Sequence, residues 1–292
     1  MTRGRRHGDE GLKIGREGLE PIYQFIDSAM SESKPFFLWY APFMPHTPHN
    51  PPDRLLEQYS GKDLTPSVTR YYAMVAWFDE TCGQLINFLE VKDLRENTLI
   101  YFICDNGWIQ QPDGSGFDFG SKQSPMDGGI RTPIMFSWPG KLKPDTREEF
   151  ISSIDLFPTI LNIAGIQQPS NLPGLNLWDE LITGKAIERD MIFGEGYGHN
   201  MIEKDNPETS LAYLWCIEDN WKLILCYDGH IEGWGLHTHE EMRKQPVRLY
   251  NIIQDPYEEF NLVEEYPTIV KRMRLKIEEW YPIKKRKVIT IK

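Results

Sequence analysis

Apolar residues recur at three- and four-residue spacing over 16–32, where Leu19, Ile22, Tyr23, Ile26 and Met30 share one face. They do so again through Tyr71, Met74, Val75, Phe78, Cys82, Leu85 and Leu89, and both patterns predict helices. Between them, residues 35–41 form a continuous apolar run, the pattern of a strand buried on both faces, and residues 98–104 form a second. A strand, a helix and a strand in succession predict a parallel unit. A loop over 108–121, rich in Gly and Asp, leads to a third strand at 133–138. A helix over 155–165 follows, with Pro158 near its start and Gly165 at its end, and Asp155 reads as its cap or as a structural hydrogen-bonding group.

From about residue 188 the pattern shortens. Strands are predicted at 191–193, 211–217 and 221–227, the last two joined by the turn Glu218-Asp219-Asn220, with a further strand at 247–250 and a helix at 268–280. The polar stretch 228–245 reads as a solvated loop, although His237 and His239 have a spacing also seen in metal sites. The basic Lys284-Lys285-Arg286-Lys287 reads as a mobile, charged end. The expected organisation is therefore α/β, with a mainly parallel sheet and flanking helices in residues 1–187. A small α+β subdomain, an antiparallel sheet with one helix, is expected in 188–292.

Composition narrows the function. A length of 292 residues and 12% aromatic content, with nine tryptophans, are those of a folded chain with a sizeable core. The net charge of −11 argues against a basic nucleic-acid-binding surface. Four cysteines without CxxC or Cys/His spacing make neither a disulfide framework nor a zinc site, and Cys82 and Cys104 read as buried thiols. The basic start Met1–His7 is followed by no apolar stretch, so it is not a secretory signal, and no run reaches transmembrane length.

Three loops carry candidate chemistry. The run ending at Ile103 delivers Cys104-Asp105-Asn106-Gly107 to the edge of a sheet, where a carboxylate and an amide oxygen can face one hard cation once Gly107 lets the chain turn. Taken alone, Asp-Asn-Gly after a strand is more often a plain turn. The segment 42–52 holds five prolines in eleven residues, which would present His46 and His49 with little freedom left to lose. Downstream, Lys122 precedes Gly128-Gly129-Ile130-Arg131-Thr132-Pro133, and Trp108 stands at the mouth of the same region as a candidate substrate contact.

In this order, a Phe-Phe-Leu strand with a His-x-Pro loop, a strand ending in Asp-Asn-Gly, and a lysine with Gly-Gly-Ile-Arg-Thr-Pro, the chain resembles the second half of the type I sulfatases of the alkaline phosphatase superfamily. The resemblance runs from about Gly8 through Leu249-Tyr250-Asn251 and Asp255-Pro256. It implies an alkaline-phosphatase-like fold and hydrolysis of a sulfate ester, such as a sulfated carbohydrate. It also implies Asp105 and Asn106 as Ca²⁺ ligands, and Lys122 and a His-x-Pro histidine as the catalytic and sulfate-contacting groups. His46 fits that histidine better than His49, because Pro45 precedes it and its distance from the strand matches. The compartment implied is exported, periplasmic or lysosomal, with any leader lying upstream.

The family's nucleophile, a formylglycine made within a Cys/Ser-x-Pro-x-Arg motif, has no matching run in these 292 residues, and neither does the Asp-Asp pair that completes the metal site. The chain is thus expected to hold half of the Ca²⁺ site, to be inactive in isolation, and to pair with a missing amino-terminal half. The alternative is a non-catalytic remnant that binds sulfated glycans or a partner chain. A phosphoryl or phosphonate hydrolase ranks last, for want of more His and Asp ligands.

Overall fold

The computed structural model describes residues 9–233 and 235–290. Two compact units emerge, one of Met1–Leu99 with Gln110–Gly116, the other of Ile100–Ile109 with Phe117–Lys292.

The first unit contains helices α1 (Asp9–Arg16), α2 (Glu20–Ser31), α3 (Asp53–Leu56) and α4 (Pro66–Val91). Thr65 caps α4 and Pro66 occupies its first turn, where a missing N–H costs nothing. Of the predicted apolar stripes, Ile22 and Ile26 of α2 and Met74 and Leu89 of α4 are buried, Met30 and Val75 stand exposed, and Tyr23 stacks on Phe88 at 4.2 Å. Residues 35–41 differ from expectation. Phe36, Leu38 and Tyr40 alternate inward, and Tyr40 donates to Thr81 at 2.8 Å, but Phe37 and Trp39 stand exposed and no strand is formed. An extended segment becomes a strand only when another backbone completes its ladder, and among the described residues none does.

The second unit begins with β1 (Ile100–Ile103), followed by the short helix α5 (Asp127–Ile130) and β2 (Ile134–Ser137). β1 and β2 pair antiparallel, Ile100 opposite Ser137 and Ile103 opposite Ile134. The expected parallel unit is corrected here: the ladder partner of β1 is the strand that returns after the 104–133 loop. Helices α6 (Leu156–Ile163) and α7 (Trp178–Thr183) follow, with a capping box in which Ser152 and Asp155 bond each other's backbone. Asp155 is the structural group the sequence implied: fully buried, it also receives Arg189 at 2.6 and 2.7 Å.

Strands β3 (Met191–Tyr197), β4 (Leu211–Glu218), β5 (Trp221–Cys226) and, after α8 (Leu236–Arg243), β6 (Val247–Asn251) form a four-stranded antiparallel sheet in that order, and α9 (Pro267–Trp280) completes the unit. One face packs Leu214, Leu223 and Leu249 with Met273 and Ile277 of α9, and the other packs Tyr213, Ile224 and Tyr250 with Met126 and Met242. Cys216 and Cys226 lie in these two separate cores as free thiols, each pushed up to about 12 by burial.

Two expectations for this unit are overturned. The polar stretch 228–245 is not a solvated loop but contains α8, with His239 2% exposed and its Nε2 3.0 Å from the Tyr227 carbonyl. The basic end is held in place: the amides of Lys284 and Lys285 donate to the Glu208 carboxylate, and the Ile289 amide donates to Cys226 O at 3.0 Å. Among the described residues no helix is long and apolar enough to cross a membrane.

Candidate functional site

The chain leaves β1 at Cys104 and closes a small turn on itself. Asp105 Oδ1 accepts the Asn106 N–H at 2.9 Å, and Asn106 Nδ2 donates to Gly107 O at 2.9 Å. Asp105 is exposed and Asn106 half-buried. The turn thus engages one carboxylate oxygen and the amide nitrogen, leaving Asp105 Oδ2 and Asn106 Oδ1 outside its hydrogen bonds. Both are hard oxygen donors of the kind Ca²⁺ or Mg²⁺ prefers, but two fall short of the six to eight that Ca²⁺ takes. Among the described residues no three His, Cys, Asp or Glu side chains gather as a cage. The pair fits part of a Ca²⁺ site.

Lys122 sits in a tight turn built by its neighbours. Ser121 Oγ donates to Asp118 O at 2.7 Å, Ser124 Oγ accepts the Met126 N–H at 2.9 Å, and both serines are buried. The Lys122 ammonium lies 5.8 Å from the centre of the Trp108 ring, which itself packs on Phe117. Lysine and indole therefore meet two residues beyond Asn106. The contact between the two turns is made by α5: the Gly107 N–H donates to Gly129 O at 2.9 Å, and Gly129 lies against the carbonyls of Ser121 and Ser124 so closely that a side chain there would overlap them. Asp105, Asn106, Trp108 and Lys122 all belong to the second unit, where Lys122 lies against Trp108 and the Gly107 turn bonds to α5.

His46 and His49 belong to the first unit. Arg16 Nη2 donates to the carbonyls of His46 and Pro48, 3.2 Å each, and so staples the proline loop. His46 Nδ1 is 3.1 Å from Thr47 O, and the His49 ring rests against Tyr71. Burial lowers the pKa of His49, helped by the neighbouring His46, so this imidazole is neutral at neutral pH.

Sequence reasoning missed several residues of this region. Gln123, next to Lys122, has a left-handed backbone (φ 65°), and its buried Oε1 lacks a hydrogen-bond partner among the described residues. It lines a cavity of about 10 Å³ with Tyr213 and His239, which has room for a water molecule but not for a sugar. Asp127, Lys222 and Glu258 form a buried ionic cluster behind α5. Burial raises the pKa of the Glu258 carboxyl against the pull of Lys222 and the Asp127 amide. A signal for Lys222 was available: in β5 it alternates in step with Ile224 and Cys226, a cation on the inward face of an apolar strand.

A family model described as sulfatase matches residues 16–166, more than half of the chain, and one described as N-sulphoglucosamine sulphohydrolase, C-terminal, matches residues 117–280. The N-acetylgalactosamine-6-sulfatase of Rattus norvegicus is 28% identical over 269 residues, covering 86% of this chain and 49% of that protein. The chain spans about half the length of the curated relatives it matches. The crystal structure of a putative sulfatase from Bacteroides fragilis superposes with a TM-score of 0.71 at 21% identity, over 93% of this chain and 58% of that one. A structure in complex with its substrate D-glucosamine-2-N,6-O-disulfate gives a TM-score of 0.55 at 24% identity, over 77% and 44%. The fold shared with these neighbours is the alkaline-phosphatase-like α/β fold of the sulfatases.

Proposed function

The chain belongs to the sulfatase family, and we propose that it supplies the anion-binding half of a site for hydrolysing sulfate esters, with a sulfated carbohydrate as substrate. The observation that carries this reading is the Lys122 ammonium held over Trp108, beside the Asp105–Asn106 turn. Lys122 pairs with sulfate oxygens, and the indole face offers a flat apolar surface to the sugar. Asp105 and Asn106 would hold Ca²⁺, which when bound would supply positive charge to a sulfate ester. His46 protonates the departing alkoxide, since an alcohol leaves poorly without a proton.

The family's formylglycine has no counterpart motif among these residues. The part assigned to this chain is therefore binding and orientation, and the attacking group and remaining metal ligands come from a segment outside the 292 residues. The sulfated ligand named for the structural neighbour supports the substrate class.

Titration of glucosamine-6-sulfate into the chain, with Ca²⁺ present, tests this reading. Lys122→Ala is expected to weaken binding about tenfold, the worth of one charge-assisted hydrogen bond. Equal affinity in the two proteins would remove Lys122 from the site. Addition of the upstream segment is expected to produce turnover of an aryl sulfate. Binding without turnover in the reconstituted pair would favour a non-catalytic glycan-binding protein.

A further inference from the structure

Lys222 is fully buried on β5, and its ammonium is shared by two carboxylates. Nζ donates to Asp127 Oδ1 at 2.7 Å and lies 2.7 Å from Glu258 Oε1. The second oxygen of Glu258 accepts the backbone N–H of Asp127 at 2.6 Å. Glu258 is held at φ 57°, a left-handed backbone that non-glycine residues seldom adopt. Its turn fixes it there: Asp255 O accepts the Glu258 N–H at 3.1 Å, and the Asp255 carboxylate accepts the N–H groups of Glu259 and Phe260 at 3.1 and 2.9 Å.

Such a cluster is a poor source of stability, because desolvating three charges offsets most of their attraction. Apolar packing around it is already supplied by Met126, Ile224 and Tyr250. What the ions add is direction. Apolar side chains tolerate some sliding, whereas one ammonium between two carboxylates has few alternative positions. The cluster ends on Asp127, the first residue of α5, and α5 is the element that touches both the Gly107 turn and the carbonyls flanking Lys122.

We infer that Lys222 is a positioning residue: through Asp127 and Glu258 it fixes α5, and α5 sets the spacing between the Asp105–Asn106 turn and Lys122. The functional consequence rests on the reading of those groups as the sulfate and metal site.

Hydrogen exchange on the full chain, read peptide by peptide, tests the inference. In Lys222→Met the amides of 105–107 and 121–130 are expected to exchange about tenfold faster, while those of α9 stay within about twofold of the parent. Glu258→Gln keeps the shape and an acceptor for the Asp127 N–H. It is expected to show a smaller rise in the same peptides, and it decides the question if Lys222→Met does not fold. Unchanged exchange in those peptides, or an equal rise in α9, would overturn the positioning role. Sulfate added to the parent protein provides a separate arm: it is expected to slow exchange over 105–108 and 121–124, and to fail to do so in Lys122→Ala. If sulfate has no effect on the parent, the anion-site reading fails, while the comparison without sulfate still decides the role of Lys222.

Discussion

Gly107 packs so tightly against the carbonyl oxygen of Gly128 that a side chain at position 107 would overlap it, and its own N–H is spent on Gly129 O at 2.9 Å. The residue at this point must therefore be a glycine for lack of space, since its φ is not in the left-handed range. Gly107→Ala is expected to push α5 away from the Asp105–Asn106 turn and to cost about 1–3 kcal/mol, the usual penalty of overpacking. A urea midpoint checks the cost. Loss of sulfate protection against thermal unfolding checks the site.

Gly83, in the middle of α4, is the counterexample. Apart from its own helix backbone and chain neighbours, no atom lies within 4 Å of the position its Cβ would take. Gly83→Ala is expected to stabilise the chain by about 0.5–1 kcal/mol, because a helix-interior glycine loses more backbone freedom on folding than alanine does. A fall in the urea midpoint would show that the site is less open than it looks.

The Asp155 carboxylate is fully buried and takes four donors: both terminal nitrogens of Arg189 and the amides of Ser152 and Leu175. Arg189→Met leaves that charge buried with its cation gone. It is expected to cost about 3–5 kcal/mol, the penalty for breaking a buried pair by removing one partner. Arg189→Lys restores charge without the two-pronged geometry and is expected to recover only part of the loss. If both variants melt like the parent, the pair is more solvated than its burial implies.

How far the sequence discloses this molecule depends on the range of the interaction. Helices α2, α4 and α9 were legible because their periodic faces report burial locally, and the hairpin of β4 and β5 because its turn and strands are adjacent. The chemistry at Asp105, Asn106 and Lys122 was legible as an order of short motifs. The run 35–41 was misread because apolar alternation does not say whether a partner backbone is present. The antiparallel pairing of β1 with β2 was not foreseen, because a loop of some thirty residues hides the direction of return. The place of Lys222 on an apolar strand was legible, but its partnership with Asp127 and Glu258 was not, because Asp127 lies 95 and 131 positions from the other two and only folding brings the three together.

His239 gives the fold a pH dependence whose sign follows from its surroundings. Its ring is buried at the side of α8, and burial lowers its pKa, as does the charge of Arg243, against smaller upward pulls from the Tyr227 carbonyl and Glu240. The folded chain thus holds a neutral imidazole. Below about pH 6.5, the ordinary histidine value, the unfolded chain takes up a proton that the folded chain refuses. Stability is therefore expected to be complete above that pH and to fall as the pH drops toward the depressed folded value, by at most about 1.4 kcal/mol per pH unit for this one group. His49, also lowered by burial, adds a slope of the same sign from the first unit. His239→Gln keeps an N–H that can donate to Tyr227 O but cannot titrate, so urea midpoints measured from pH 7.5 to 5 should fall less steeply than in the parent. The same substitution at His49 should remove a separate share. A parent protein whose midpoint stays flat across that range would mean that both imidazoles take up protons as freely in the folded chain as in water.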